Sequence, residues 1–305
     1  MVDIKEIKSI ELVPFTLMTS SISAIVALIY AILLLIALAV ASVFVPTAGL
    51  ALASLGLSLI VLYPIITFFV YVMTSFVTAL IYNMLVSRLG GIKLGLEGDE
   101  VKNVPVVPFA LILAGVMAVW AFIIGLLLAA IIVPFTTALS TLIPILSNIA
   151  ANATNITPTT LPTGSAVGTG GVLLAILLII GLPIFVFVAG FIGHALAAIF
   201  YNFIIPKVGG IRLMFAPTGT AQEITSIPVV AASLALASVA LIFGIIQGII
   251  GLINGVIAGS AGMAIASLVS NIILNFVGVF IMVAIITLIY NYLAPSIGGI
   301  QLGLE

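Results

Sequence analysis

Six runs of apolar residues, none containing Lys, Arg, Asp or Glu, constrain this chain more than any other feature. They extend over Phe15 to Phe44, Leu57 to Val86, Phe109 to Val133, Gly171 to Ile205, Val229 to Ile253 and Met263 to Leu293. Each exceeds the roughly 20 residues with which a helix crosses about 30 Å of hydrocarbon. The composition agrees, with 64% hydrophobic and 5% charged residues, against about 25% charged in an ordinary soluble domain. The expected class is an all-α polytopic membrane protein with six transmembrane helices. The first run includes Ala39-Val40-Ala41 but is much longer than the apolar region of a cleaved signal peptide, and is expected to remain as a helix.

The runs come in pairs, and each pair ends alike. "YNMLVSRLGGIKLGLE" (Tyr82 to Glu97) is followed by "YNFIIPKVGGIRLMFA" (Tyr201 to Ala216) and "YNYLAPSIGGIQLGLE" (Tyr290 to Glu305). A fainter signature opens each pair: "IKSIELVP" from Ile7, "VKNVPVVP" from Val101 and "ITSIPVVA" from Ile224. The chain therefore divides into repeats at 1–97, 98–216 and 217–305, each holding two spans. After each Gly-Gly, residues such as Ile92, Leu94 and Leu96 alternate with Lys93, Gly95 and Glu97, the period of a strand. Turn-forming stretches at Gly98-Asp99-Glu100 and Pro217-Thr-Gly-Thr join each closing strand to the next opening one. By the same rule the strand Ile300 to Leu304 should pair with Ile7 to Leu12. This predicts three hairpin repeats in a pseudo-threefold ring, with a small cytoplasmic β cap made from the junction strands. Pro105 and Pro228 lack an N–H and belong at strand ends or edges.

All seven basic residues lie in the N-terminal segment or after an even-numbered span, and the acids do likewise. Lys and Arg mark the cytoplasmic side, so both termini are expected there, in a cell membrane. The long outer loop, 134–170, is expected to hold a short surface helix over Thr136 to Ile149 and then a Thr/Pro/Gly-rich tract. Two Asn-x-Thr sequons there make Asn152 and Asn155 candidate glycosylation sites.

Within the tails, Tyr82, Tyr201 and Tyr290 fall where an amphipathic ring belongs, at the membrane interface. Gly90-Gly91, Gly209-Gly210 and Gly298-Gly299 are expected to supply the positive-φ backbone that ends a helix. Asn83, Asn202 and Asn291 have two readings: hydrogen bonds to open helix-end groups, or a ring of amides about the axis. This Tyr-Asn, Gly-Gly and alternating-strand tail resembles that of a small two-helix membrane family of archaea and actinobacteria, domain of unknown function 3566. The resemblance covers 82–97, 201–213 and 290–305, and implies three such domains fused. The middle tail departs from it at Met214-Phe215-Ala216. The family brings no activity with it.

The one ionisable residue within the spans is His194 in repeat two, either bonded to a neighbouring helix or a proton or ligand site. Gln247, Asn254, Asn271 and Asn275 are neutral polar residues of repeat three. Gly244, Gly248, Gly251, Gly255 and Gly259 read as a close-packing helix face. Pro64 and Pro183, 18 residues before Tyr82 and Tyr201, predict a matched kink. Cysteine is absent, which excludes thiolate chemistry. No phosphate loop, paired intramembrane carboxylates, metal-ligand set or basic stripe for nucleic acid is present. No cofactor and no catalytic residue are expected. The expected partners are the lipid bilayer and other membrane subunits or a second copy. The expected role is a non-enzymatic scaffold or accessory subunit. The alternative is a channel for a small solute or ion along the pseudo-threefold axis.

Overall fold

The computed structural model describes residues 2–44, 49–154 and 164–305. Among these, six helices are long and apolar enough to cross a membrane: Leu12–Phe44, Ser54–Leu89, Val106–Ile149, Ala166–Val208, Val229–Ile257 and Ala261–Ile297. They are the helices of a multi-pass membrane protein. The described elements are β1 (Asp3–Ile10), α1 (Leu12–Phe44), α2 (Gly49–Leu89), β2 (Lys93–Glu97), β3 (Glu100–Asn103), α3 (Val106–Thr154), α4 (Gly164–Ile176), α5 (Leu182–Val208), β4 (Ile211–Arg212), β5 (Met214–Thr218), β6 (Ala221–Ser226), α6 (Val229–Ile257), α7 (Ala261–Ile273), α8 (Val279–Ile297) and β7 (Gln301–Leu304). Two compact units are distinguished. One is Met1–Ile112 with Ala195–Glu305, and the other is Leu113–His194.

The larger unit contains the whole sheet, in the order β4-β3-β2-β1-β7-β6-β5, antiparallel throughout. Its two outermost members, β4 and β5, are parts of one stretch of chain, separated only by Leu213. The hydrogen-bonded order thus returns upon itself through that residue, whose N–H donates to the Asp99 carbonyl at 2.8 Å. Two-residue turns begin with Gly98 and Gly219, both at φ +61°. These join β2 to β3 and β5 to β6, the glycine-first hairpin turn favoured by strand twist. One face of the sheet is apolar: Ile7, Leu96, Val101, Ile224 and Leu302 are buried.

Small residues bring the helices of each hairpin together, as expected in lipid, where packing replaces the hydrophobic effect. Gly56 of α2 leaves room for Leu35 of α1. In the smaller unit Gly125 faces the Leu178 carbonyl, Gly171 faces Thr136, and Gly190 faces Met117 and Ala114. In the third hairpin Gly244 lies on Asn271 and Asn275, Gly248 on Leu268, Gly251 on Ser267 and Gly255 on Ala264. The glycine face of α6 therefore packs within the chain. Gly259 is not part of it, because it occupies the following turn at φ +72°.

Three expectations need correction. The presumed outer loop does not begin at Pro134: α3 continues as one helix to Thr154, with Pro134 and Pro144 inside it, so Thr136–Ile149 is no separate surface helix. Each proline removes one N–H and leaves the helix otherwise intact. Pro183 follows a π-helical turn at Leu177–Gly181, whereas Pro64 lies inside uninterrupted α2. The π turn lets the chain pass the proline ring without an i−4 bond. A second π turn, Leu274–Gly278, precedes α8. The prolines match in position but not in local structure. The opening strands also start earlier than read, β1 at Asp3 and β6 at Ala221.

Candidate functional site: three polar latches

The Tyr-Asn and Gly-Gly residues meet the strand that opens the same segment of chain. At the end of α2, the Tyr82 hydroxyl donates to the Ile7 carbonyl at 2.8 Å and accepts the Ile92 N–H at 3.0 Å. Tyr201 donates to Val101 at 2.7 Å and accepts from Ile211 at 3.1 Å. Tyr290 donates to Ile224 and accepts from Ile300 at 3.0 Å. One phenol therefore ties an opening strand to the start of a closing strand. These rings are 2%, 6% and 3% exposed. The expectation that they face the membrane interface is thus corrected: they are interior residues whose hydroxyls satisfy backbone groups removed from water.

Each asparagine completes the join. Asn83 Oδ1 accepts the Ile10 N–H at 2.8 Å and its Nδ2 donates to the Ile10 carbonyl at 2.9 Å. Asn202 pairs with Val104 at 2.8 Å in both directions, and Asn291 with Ile227 likewise. The amide thus serves the N–H and C=O of a single residue where a strand bends into a helix. An isosteric Asp has no donor and Leu has neither group. Both expected roles are revised here. The bonded groups belong to the following helix's entry rather than the preceding helix's end, and both amide atoms engage the chain's own backbone rather than an axial ring.

The glycine pairs divide their work. Gly90, Gly209 and Gly298 have φ of +78°, +87° and +82°, where other residues are strained. Gly91, Gly210 and Gly299 are not in that region, contrary to expectation. They are needed for space, because a Cβ on each would collide with the carbonyl oxygen of Ile7, Val101 or Ile224.

A further member was missed in the sequence. Glu6, Glu100 and Glu223 accept the N–H of Gly91, Gly210 and Gly299 at 2.8, 2.6 and 2.7 Å. The signal was available: each acid immediately precedes Ile7, Val101 or Ile224. Lys8 and Lys93 lie 3.3 and 3.8 Å from Glu6, and Lys102 and Arg212 lie 2.8 and 3.6 Å from Glu100. The Gly91 N–H holds the Glu6 carboxyl below its ordinary range, opposed by desolvation and helped by Lys8 and Lys93. The Lys102 ammonium, then the Gly210 N–H, does the same for Glu100. The positions matching these cations around Glu223 hold Thr225 and Gln301.

The remaining candidates are scattered. His194 Nδ1 lies 2.7 Å from the Gly190 carbonyl, one turn back on its own helix. Gln247 and Asn254 are exposed on α6. Asn271 donates to the Ser267 carbonyl and Asn275 to the Asn271 carbonyl, both at 2.8 Å and both within their own helical stretch. Asn152 is in the last turn of α3, and Asn155 lies outside the described residues. No group of three His, Cys, Asp or Glu able to hold a metal occurs among the described residues. Two hydroxyls stand out instead. Among the described residues, Thr16 Oγ1 and Ser233 Oγ are buried without a hydrogen-bond partner, nine residues after Ile7 and Ile224 respectively.

No protein-family model, no curated protein and no solved structure matches the chain.

Proposed function

We propose that this chain is a non-enzymatic integral membrane scaffold or accessory subunit. In this reading three fused two-helix repeats, akin to domain of unknown function 3566, stand in pseudo-threefold arrangement. Their sheet forms a cytoplasmic cap, with both termini on that side of the cell membrane. The observation that carries the reading is the use of the repeated polar residues. Every Tyr, Asn and Glu of the three latches bonds to backbone of its own segment. The repetition thus serves assembly of the fold, and the broad apolar surfaces of the spans remain for lipid and for neighbouring subunits. The test is mild solubilisation of the native membrane, capture through a terminal tag and mass spectrometry of what stays bound. A stoichiometric membrane partner supports the proposal. A homogeneous preparation of this chain alone overturns the accessory-subunit reading.

A permeation path along the axis is the second reading, favoured by Thr16 and Ser233. Buried hydroxyls normally have a partner, and those without one point to water or an ion. Replacing both by Leu should abolish solute flux into liposomes if they line a wet path. Unchanged flux in that variant, or no flux in the parent protein, removes this reading.

A further inference from the structure

We propose, resting on the accessory-subunit reading, that the third latch is where the partner subunit docks, and that the partner brings a segment with at least two Lys or Arg residues beside its own span. The third repeat departs from the other two in charge. Glu6 stands opposite Lys93 with Lys8 two residues on, and Glu100 opposite Arg212 with Lys102 two residues on. Glu223 stands opposite Gln301 with Thr225 two residues on. The first two carboxylates are paired with both of their cations. Among the described residues Glu223 forms no ion pair. Its Oε1 accepts the Gly299 N–H at 2.7 Å and its Oε2 accepts the Thr218 hydroxyl at 3.2 Å.

A further cation is missing from the same repeat. Arg88 and Lys207, each six residues after a latch tyrosine, lie in the last turns of α2 and α5, and Ser296 holds that place in α8. Lys207 lies over the Phe203 ring, 4.3 Å from its centroid. Tyr292 is the counterpart of Phe203 and is 79% exposed, with no cation over its face among the described residues. Residues 217–305 contain no Lys or Arg at all. Carboxylates and aromatic faces both attract cations. The third repeat has kept both acceptors and lacks every cation that the second sets against them.

The missing charge selects protein over lipid. An anionic headgroup meets Glu223 with like charge. A zwitterionic headgroup ties its ammonium to a phosphate, and this repeat has no Lys or Arg to receive the phosphate. A Lys or Arg side chain brings no such anion. Basic residues also collect beside the spans of membrane proteins on the cytoplasmic side, the side proposed for the sheet. On α8, Ile281, Leu288 and Tyr292 are exposed at spacings of seven and four, one face of a helix. The partner's span lies along that face, with its basic flank toward Tyr292 and Glu223.

The experiment places the photoreactive residue p-benzoylphenylalanine at Tyr292 of the full chain in its native membrane, and in separate preparations at Phe203 and Met84, the matching positions of the other repeats. Adducts are identified by mass spectrometry. The expected result is an adduct from position 292 with a membrane protein, at a segment beside a span that holds two or more Lys or Arg, and little of it from 203 or 84. The variant T225K/S296K/Q301R gives the third repeat the cations of the second, so that its own side chains occupy both acceptors. It should lower the adduct about tenfold, the loss of roughly one charge-assisted hydrogen bond. A melting point no lower than the parent's shows that the variant folds, and the comparison of the three positions carries the test if it does not. Equal adduct from all three positions, equal adduct from the variant, a partner segment without basic residues, or adducts with lipid alone or a second copy alone each overturn the proposal. A stoichiometric partner that cross-links through Phe203 or Met84 instead overturns it and leaves the accessory-subunit reading standing, whereas the absence of any partner overturns both.

Discussion

Tyr201→Phe isolates the contribution of one latch because it removes a single oxygen and leaves the ring in place. Two groups lose their partner: the Val101 carbonyl, which is buried, and the Ile211 N–H, which is partly buried. Leaving such a group unsatisfied costs about 1–3 kcal/mol, with the partly buried N–H at the low end, so the sum is about 2–4 kcal/mol. Water offers little rescue. The adjoining cavity of about 300 Å³ is lined otherwise by Leu94, Val101, Val104, Phe109, Ala197, Ala198, Ile211, Leu213, Leu236 and Val239, and an apolar cavity stays dry. The assay is thermal unfolding of the purified protein in one detergent, together with amide exchange at Ile211. Expected are a melting point lower by several degrees and faster exchange at Ile211. Tyr292→Phe, at a ring 79% exposed, should change stability by less than about 0.5 kcal/mol. If Tyr201→Phe melts with the parent and Ile211 exchanges as before, the latches do not hold the fold and the reasoning fails.

Gly91→Ala should damage folding more than Gly90→Ala: the first drives a methyl into the Ile7 carbonyl, the second costs about 1 kcal/mol of backbone strain. The ratio of folded yields checks the order, and a reversed order contradicts the division of labour between the two glycines. Acid should weaken the latches. Glu6 and Glu100 titrate below the ordinary value of 4.5 when folded, so their stabilisation is complete above that pH and is lost as pH falls through the lower folded values. Melting points measured from neutral pH downward should drop below about pH 4.5, and a double variant Glu6→Gln and Glu100→Gln should show a shallower acid limb; an identical limb in both proteins argues against the carboxylates. Gly248→Leu should separate α6 from α7, where Leu268 already fills the space, and cost about 2 kcal/mol or more; normal melting shows that the two helices do not pack there.

The elements carried by local pattern were legible: six spans from apolar length, closing strands from alternation at Ile92, Leu94 and Leu96, turns from Gly98 and Gly219. The latch was legible only in halves. Tyr82 and Asn83 announced themselves by recurrence, but their partners Ile7 and Ile10 lie 75 and 73 residues away, beyond the reach of periodicity. Glu6 escaped because an acid beside two lysines reads as a solvated surface charge, and its role depends on a glycine N–H at residue 91. Burial of the tyrosines was misjudged because hydropathy marks where a helix ends without saying which face turns inward. The helix through Pro134 was missed because proline is a breaker by local rule.

The return of the sheet upon itself through Leu213 bears on the order of assembly during synthesis. β1 pairs with β2 on one side and β7 on the other, and β7 begins at Gln301, so β1 keeps an open flank until some 290 residues after it have emerged. A nascent chain halted anywhere before that point presents unpaired backbone at β1, and such edges recruit other strands. Joining ends so far apart is slow. The cell thus has a built-in mark of unfinished synthesis: a molecule still lacking β7 carries a bare strand, and the arrival of β7 erases the mark.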